Sequence, residues 1–287
     1  MTVLGRTNKI GYSARRVGLA FAFALSLMGG VVQAAPMAAS APELGSAASF
    51  AILAGTAVTC TNSTIIGDVG VYPGTAVTQT LCPVTGTIHA GDPVAAAAYA
   101  DFLSAYQALA LVPCDVVLTG TLANVTLAPG VYCFDAAATL TGQLTLDGPA
   151  NGVWIFKVGT SGTGALTGTN FSVVMAGGGQ PCNVTWWVAE AATLTDSNFV
   201  GSILAGAAIT ITGGTFTGDA FAKAAVTLTG ANLIGCEGGQ VYGQHCNQGV
   251  GNGTENCDPG NSNQGDPSHS NDEVGGTPGN PGRKGGK

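Results

Sequence analysis

Charge is what this chain has least of. Only 9% of its 287 residues are Asp, Glu, Lys or Arg, against about a quarter in an ordinary soluble domain. Four of the nine basic residues precede position 17, three follow 282, and only Lys157 and Lys223 lie between. With a net charge of −7, the chain has no basic surface to neutralise phosphates. That excludes nucleic acid as a partner and argues against anionic membranes. Histidine is also scarce: His89 precedes a helical stretch, and His245 and His269 fall in a polar tail. There is no G-x-S-x-G, no H-E-x-x-H and no Gly-rich phosphate loop. Asp135, Asp147, Glu190, Asp196 and Asp219 share no repeat column, although a seam between coils could bring Asp196 and Asp219 together. Catalysis needs converging titratable groups, so the sequence reads as a non-enzyme without cofactor or metal. Asp258, Asn261, Asn263 and Asp266 have the composition of a calcium loop but not its spacing. No two cysteines form a C-x-x-C pair, which sets structural zinc aside.

What is present is glycine, 45 residues of it, and short β-branched runs between turns. This suits an all-β fold. Residues 1–34 read as a secretory signal, with Arg6, Lys9, Arg15 and Arg16 ahead of an apolar run from Val17 to Val32. That run is short of a membrane span, so no membrane insertion is expected and the product is secreted or held at the cell surface. Export favours disulfides for the eight cysteines. We pair neighbours: Cys60–Cys82, Cys114–Cys133, Cys182–Cys236 and Cys246–Cys257. An Ala/Pro/Ser linker spans 35–43. Residues 44–236 form the folded domain, and a Gly/Asn/Pro-rich tail over 237–287 has too few apolar residues to fold. One helix is expected at about 92–111, with Asp92 as cap, Pro93 in the first turn and apolar residues from Val94 to Ala110 at helical spacing. It would cover apolar sheet.

The most ordered stretch is Ala191 to Leu233. Shifted by 17 residues it falls on itself: Thr193-Leu194-Thr195, Thr210-Ile211-Thr212 and Thr227-Leu228-Thr229 align, as do Asn198-Phe199, Thr215-Phe216 and Asn232-Leu233. A short repeat of this kind marks a solenoid with one repeat per coil. Alternation within each unit marks half-buried strands, apolar residues inward and threonines outward. The unit extends backwards, with Ala165 to Phe171 set against Thr193 to Phe199, and Ala138 to Thr141 more loosely. The strands before each unit correspond as well, from Val153, Thr185, Ser202 and Ala220. Phe171, Phe199, Phe216 and Leu233 are expected to stack in the core. Thr56-Ala57-Val58-Thr59 recurs as Thr75-Ala76-Val77-Thr78, which places irregular coils ahead of the helix. Parallel strands stack about 4.7–4.9 Å apart and residues two apart lie roughly 6.5–7 Å along a strand, so the outward threonines form a flat grid.

These residues carry a resemblance. LGSAASFAILAGTAVT (44–59), GDVGVYPGTAVT (67–78), HAGDPVAAAAYADFLSAY (89–106) and LAPGVYCF (127–134), together with the three repeats, resemble the microbial family of secreted ice-binding proteins. The resemblance implies an all-β fold with one long helix: a discontinuous, right-handed parallel β-solenoid of triangular cross-section with the α-helix packed alongside. It also implies that one flat face binds an ice crystal surface. The chain is expected to act as a monomer. The family's face motif, T-[A/G]-x-[T/N], matches Thr167-Gly168-Thr169-Asn170, Thr212-Gly213-Gly214-Thr215 and Thr229-Gly230-Ala231-Asn232. The candidate face is therefore Thr139, Thr141, Thr167, Thr169, Asn170, Thr193, Thr195, Asn198, Thr210, Thr212, Thr215, Thr227, Thr229 and Asn232. Thr195-Asp196-Ser197-Asn198 departs by a charged residue in mid-grid, where Asp196→Gly is expected to raise activity; Thr141-Gly142-Gln143-Leu144 departs at its last position. The alternative is an extracellular adhesion or matrix- and polysaccharide-binding module that uses the same flat face without acting on ice.

Overall fold

A computed structural model describes residues 40–236. The signal over 1–34, most of the linker, the tail over 237–287 and the Cys246–Cys257 pairing lie outside the described residues.

Three short strands separated by bends make one coil. In one coil Ser202–Ala205 lies on the first side, Ile209–Thr212 on the second and Thr215–Thr217 on the third. The next repeats this with Ala220–Ala222, Val226–Thr229 and Asn232–Ile234. Equivalent strands pair in parallel from coil to coil. The first sides form a nine-stranded sheet. The second and third sides belong to one hydrogen-bonded network, because Ala138–Asp147 and Leu166–Ala176 run through the bend as single long strands.

The coils are not stacked in chain order. The earliest strands, from Phe50 to Ile66, lie against the latest: Ile52 pairs with Ala220, Val58 with Val226 and Asn232 with Thr64. The helix Pro93–Leu111 then intervenes, and Val116–Val117 lies at the other edge of the first-side sheet. From there the coils advance until the last meets the first.

Two apolar cores hold this arrangement. Phe156, Trp186, Phe199 and Phe216 fill the inside of the triangle, with Phe156 stacked on Trp186 at 4.0 Å and Phe199 on Phe216 at 5.4 Å between centroids. Phe50, Leu53, Phe102, Trp187, Leu204 and Phe221 form a second core between the helix and the first side. The central first-side strands are thus buried on both faces. This is why Trp154–Val158 and Val184–Val188 are buried at every position and mostly apolar, Lys157 and Thr185 apart, without alternation.

The helix begins as expected. Asp92 accepts from the Ala95 N–H at 2.8 Å, and Pro93 occupies the first turn. Its far end is held by Lys157, whose ammonium donates to the carbonyls of Ala110 (2.9 Å) and Val112 (2.6 Å), where the helix dipole favours a cation. Lys223 lies over the Tyr106 ring at 3.7 Å. Both isolated mid-chain cations therefore have structural partners. Disulfides join Cys60–Cys82, Cys114–Cys133 and Cys182–Cys236, as paired from the sequence.

One alignment is corrected. Thr167, not Ala165, is the partner of Thr193, and Ile155, not Val153, is the partner of Thr185. The whole coil is displaced by two residues from the expected register. Consequently Phe171 does not stand in the inner column. Val173 does, one residue beyond the Ser172–Asn198 pairing. Phe171 sits at the bend and reaches Trp186 and Phe199 edge-on or tilted. The apolar content of both registers is similar, so alternation could not separate them.

Candidate functional site

The second side of the solenoid carries the threonines. Thr139, Thr167, Thr193, Thr210, Thr227, Thr59 and Thr78 are register partners in succession, giving one unbroken column of seven threonines. Thr169, Thr195, Thr212, Thr229, Thr61 and Thr80 form a second column of six. All are exposed or half-exposed, and the residues between them, Leu140, Gly168, Leu194, Ile211, Leu228 and Cys60, are buried, except for the exposed Gln79 on the edge strand. The longer column extends for roughly 29 Å at the usual strand spacing. Neither column contains a charged residue. β-Branched threonine is stiff at χ1, and its neighbours above and below are fixed by the ladder, so methyls and hydroxyls repeat in fixed orientation.

Four of these threonines were not expected. Thr59, Thr61, Thr78 and Thr80 come from the coils ahead of the helix. The signal was there: Thr59-Cys60-Thr61 and Thr78-Gln79-Thr80 are T-x-T triplets like Thr193-Leu194-Thr195. They were hidden because the helix and several coils separate them in sequence from the strands they extend.

The bend revises several other candidates. Asn170 and Asp196 have left-handed backbone, with φ of 47° for each, and Gly213 (68°), Gly230 (64°) and Asn62 (49°) occupy the same turn in their coils. Glycine, Asn and Asp are the residues that tolerate that region. Asn170 is therefore a corner residue rather than a member of the flat face. Asp196 likewise sits at the corner rather than in mid-grid, its carboxylate turned along the stack against Gly213. The motif equivalent in that coil is Thr169-Asn170-Phe171-Ser172, not Thr167 to Asn170. Thr141 falls in the ladder irregularity between Leu140 and Gly142 and is in neither column. Asn198, Thr215 and Asn232 are in register, but across the bend on the third side, where Thr215 donates to Asn198 Oδ1 at 2.9 Å. The motif thus straddles an edge.

The acids do not converge. Asp219 is buried at the corner between the third and first sides, away from the bend that carries Asp196. Its carboxylate accepts from the Cys236 N–H (2.7 Å) and from Ser202 Oγ (3.0 Å), and burial without a cation pushes its pKa up to about 7. Among the described residues no group of three His, Cys, Asp or Glu is placed to hold a metal ion.

This geometry has relatives. A family model described as ice-binding-like matches residues 52–234. An ice-binding protein of Nostoc sp. (strain HG1) is 41% identical over 178 residues, covering 60% of this chain and 65% of that protein. One from Flavobacterium frigoris (strain PS1) is 36% identical over 186 residues, covering 58% and 66%. The chain thus matches just under two thirds of the length of each. Among solved structures, an ice-binding protein from an Antarctic biological consortium superposes with a TM-score of 0.66 at 30% identity, covering 71% of this chain and 96% of that one. The ice-binding protein of the Antarctic ascomycete Antarctomyces psychrotrophicus gives 0.64 at 35% identity, covering 67% and 97%.

Proposed function

The chain belongs to the ice-binding-like family, and on that footing we propose that it is secreted and, as a monomer, adsorbs to ice through the threonine columns of its second side, restraining crystal growth and recrystallisation. One observation carries the reading: two charge-free threonine columns continue in register across coils drawn from both ends of the folded chain. Ice offers no charge and no deep feature, so adsorption must come from many weak contacts made at once. A ligand surface that is rigid before binding loses little conformational entropy on binding. Here the hydroxyls can hold surface water in a lattice while the methyls restrict its orientation. The Asn198, Thr215 and Asn232 column borders this face across the bend.

The test is thermal hysteresis and recrystallisation inhibition by the mature chain, with Thr210→Tyr and Thr227→Tyr as variants in mid-face. Both variants should retain the fold and lose most of the activity. Ice that grows unshaped and recrystallises at the buffer rate in the parent protein would overturn the reading. Glycan binding without any effect on ice would replace it with an adhesion module.

A further inference from the structure

The third side carries a second ordered array that the threonine face does not account for. Its outward positions form two columns. One consists of amides and hydroxyls and includes Asn198, Thr215 and Asn232. The other consists only of β-branched residues: Thr145, Val174, Val200, Thr217, Ile234 and Ile66. Val200 aligns with Val174 because each lies two residues beyond the Ser172–Asn198 pair. Val174 and Ile234 are 40% and 45% exposed, large values for aliphatic side chains. No charged residue stands in either column. The helix packs against the first side, and the outward residues of the third side are left exposed or half-exposed.

We infer that this third side is a second ice-adsorbing surface, set at an angle to the threonine face, so that one molecule engages two different planes of ice. The inference rests on the threonine face being an ice surface. Three features select ice as the occupant. The array is continuous with the threonine face, since Ala138–Asp147 and Leu166–Ala176 run through both sides and impose the same coil-to-coil repeat on each. It carries no charge, as suits a neutral lattice. A protein partner would need more: the aliphatic stripe is about 24 Å long and one side chain wide, far short of the ~800 Å² that each partner buries in a stable interface. β-Branched side chains with restricted χ1 instead present a single row of fixed methyls beside a row of fixed hydrogen-bonding groups. That combination orders adjacent water without requiring it to be expelled.

The experiment images ice-plane affinity. A single-crystal ice hemisphere is grown in dye-labelled full-length mature chain, and the labelled planes are mapped. Val200→Tyr and Thr217→Tyr alter the third side, Thr210→Tyr alters the second, and thermal unfolding checks that each variant folds. The parent should label two sets of planes. Each third-side variant should erase one set and Thr210→Tyr the other. If Val200→Tyr fails to fold, Thr217→Tyr decides. The inference is overturned if the parent labels one set only, if folded third-side variants retain both sets, or if Thr210→Tyr alone abolishes all labelling. A dimer in sedimentation that Thr217→Tyr dissociates would also overturn it, by making the third side a protein interface. Labelling unaffected by Thr210→Tyr but abolished on the third side would instead sink the threonine-face reading, so the two failures are distinct.

Discussion

Thr61 and Thr229 stand side by side in one parallel ladder, although the chain places them at opposite ends of the folded region. The joint between them is reinforced below the surface. Ser63, buried at the bend, donates to the Thr61 carbonyl at 2.9 Å and accepts from the Ala231 N–H at 3.0 Å. Continuity of the candidate face depends on this seam, where the last coil closes on the first.

Ser63→Ala should therefore destabilise the seam. It leaves the buried Ala231 N–H without its partner, which costs about 1–3 kcal/mol. Ser197 occupies the same place elsewhere in the stack, donating to the Thr195 carbonyl and accepting from the Phe171 N–H. Ser197→Ala should show a similar loss. Urea unfolding of both variants measures it, and an unchanged midpoint for Ser63→Ala would show that the bend rearranges to satisfy Ala231.

Lys157→Met should cost stability out of proportion to its conservative size. The ammonium satisfies two carbonyls at the helix end, and burial lowers its pKa, so the charge is retained by those contacts. Hydrogen bonds to a charged group are worth about 1.5–3 kcal/mol each in net terms. The measurement is the thermal midpoint together with amide exchange over residues 105–112, where protection should fall first.

Asp219 makes stability depend on pH. Its folded-state pKa of about 7 lies above its ordinary value of 3.8, so the folded chain holds the proton more tightly than the unfolded one. The associated stability is fully present below about pH 4, is lost as pH rises to about 7, and is constant above. The total is on the order of 4 kcal/mol. Asp219→Asn should flatten this dependence. Thermal unfolding of parent and variant between pH 4 and 9 tests it; parallel profiles would remove Asp219 as the cause.

The bend offers a coupled pair. A Cβ at Gly213 would collide with the Asp196 carboxylate, and the backbone there has φ of 68°. Gly213→Ala should destabilise by about 1–3 kcal/mol. Adding Asp196→Gly should recover part of that, as expected for residues in contact. Asp196→Gly alone should leave thermal hysteresis unchanged, because the carboxylate lies at the corner and not in the plane. A rise in hysteresis would restore Asp196 to the contact surface.

The legible parts of this protein were those encoded by local pattern. Asp92-Pro93 and the apolar run after it gave the helix its start, and a Pro after Val112 gave its stop. The 17-residue echo gave the coils and the outward direction of Thr193, Thr210 and Thr227. The register of the coil at 154–176 is ambiguous by two residues in the sequence because a period-2 pattern is unchanged by a shift of two, and only the ladder removes that degeneracy. Nothing in Thr212-Gly213-Gly214-Thr215 states the angle of the turn, so the sequence pattern alone is that of a single plane; the left-handed bend divides the grid between two sides.

By itself the sequence determined the repeat, the alternation, the charge-free outward threonines and the one helix, since each follows from the propensity and spacing of neighbouring residues. Tertiary structure alone decided which coil meets which. Thr61 lies beside Thr229 because parallel strands gain their hydrogen bonds from whichever edge is left open, and the helix spacer leaves the early coils free to close on the last one. The seven-coil threonine column exists only through that closure.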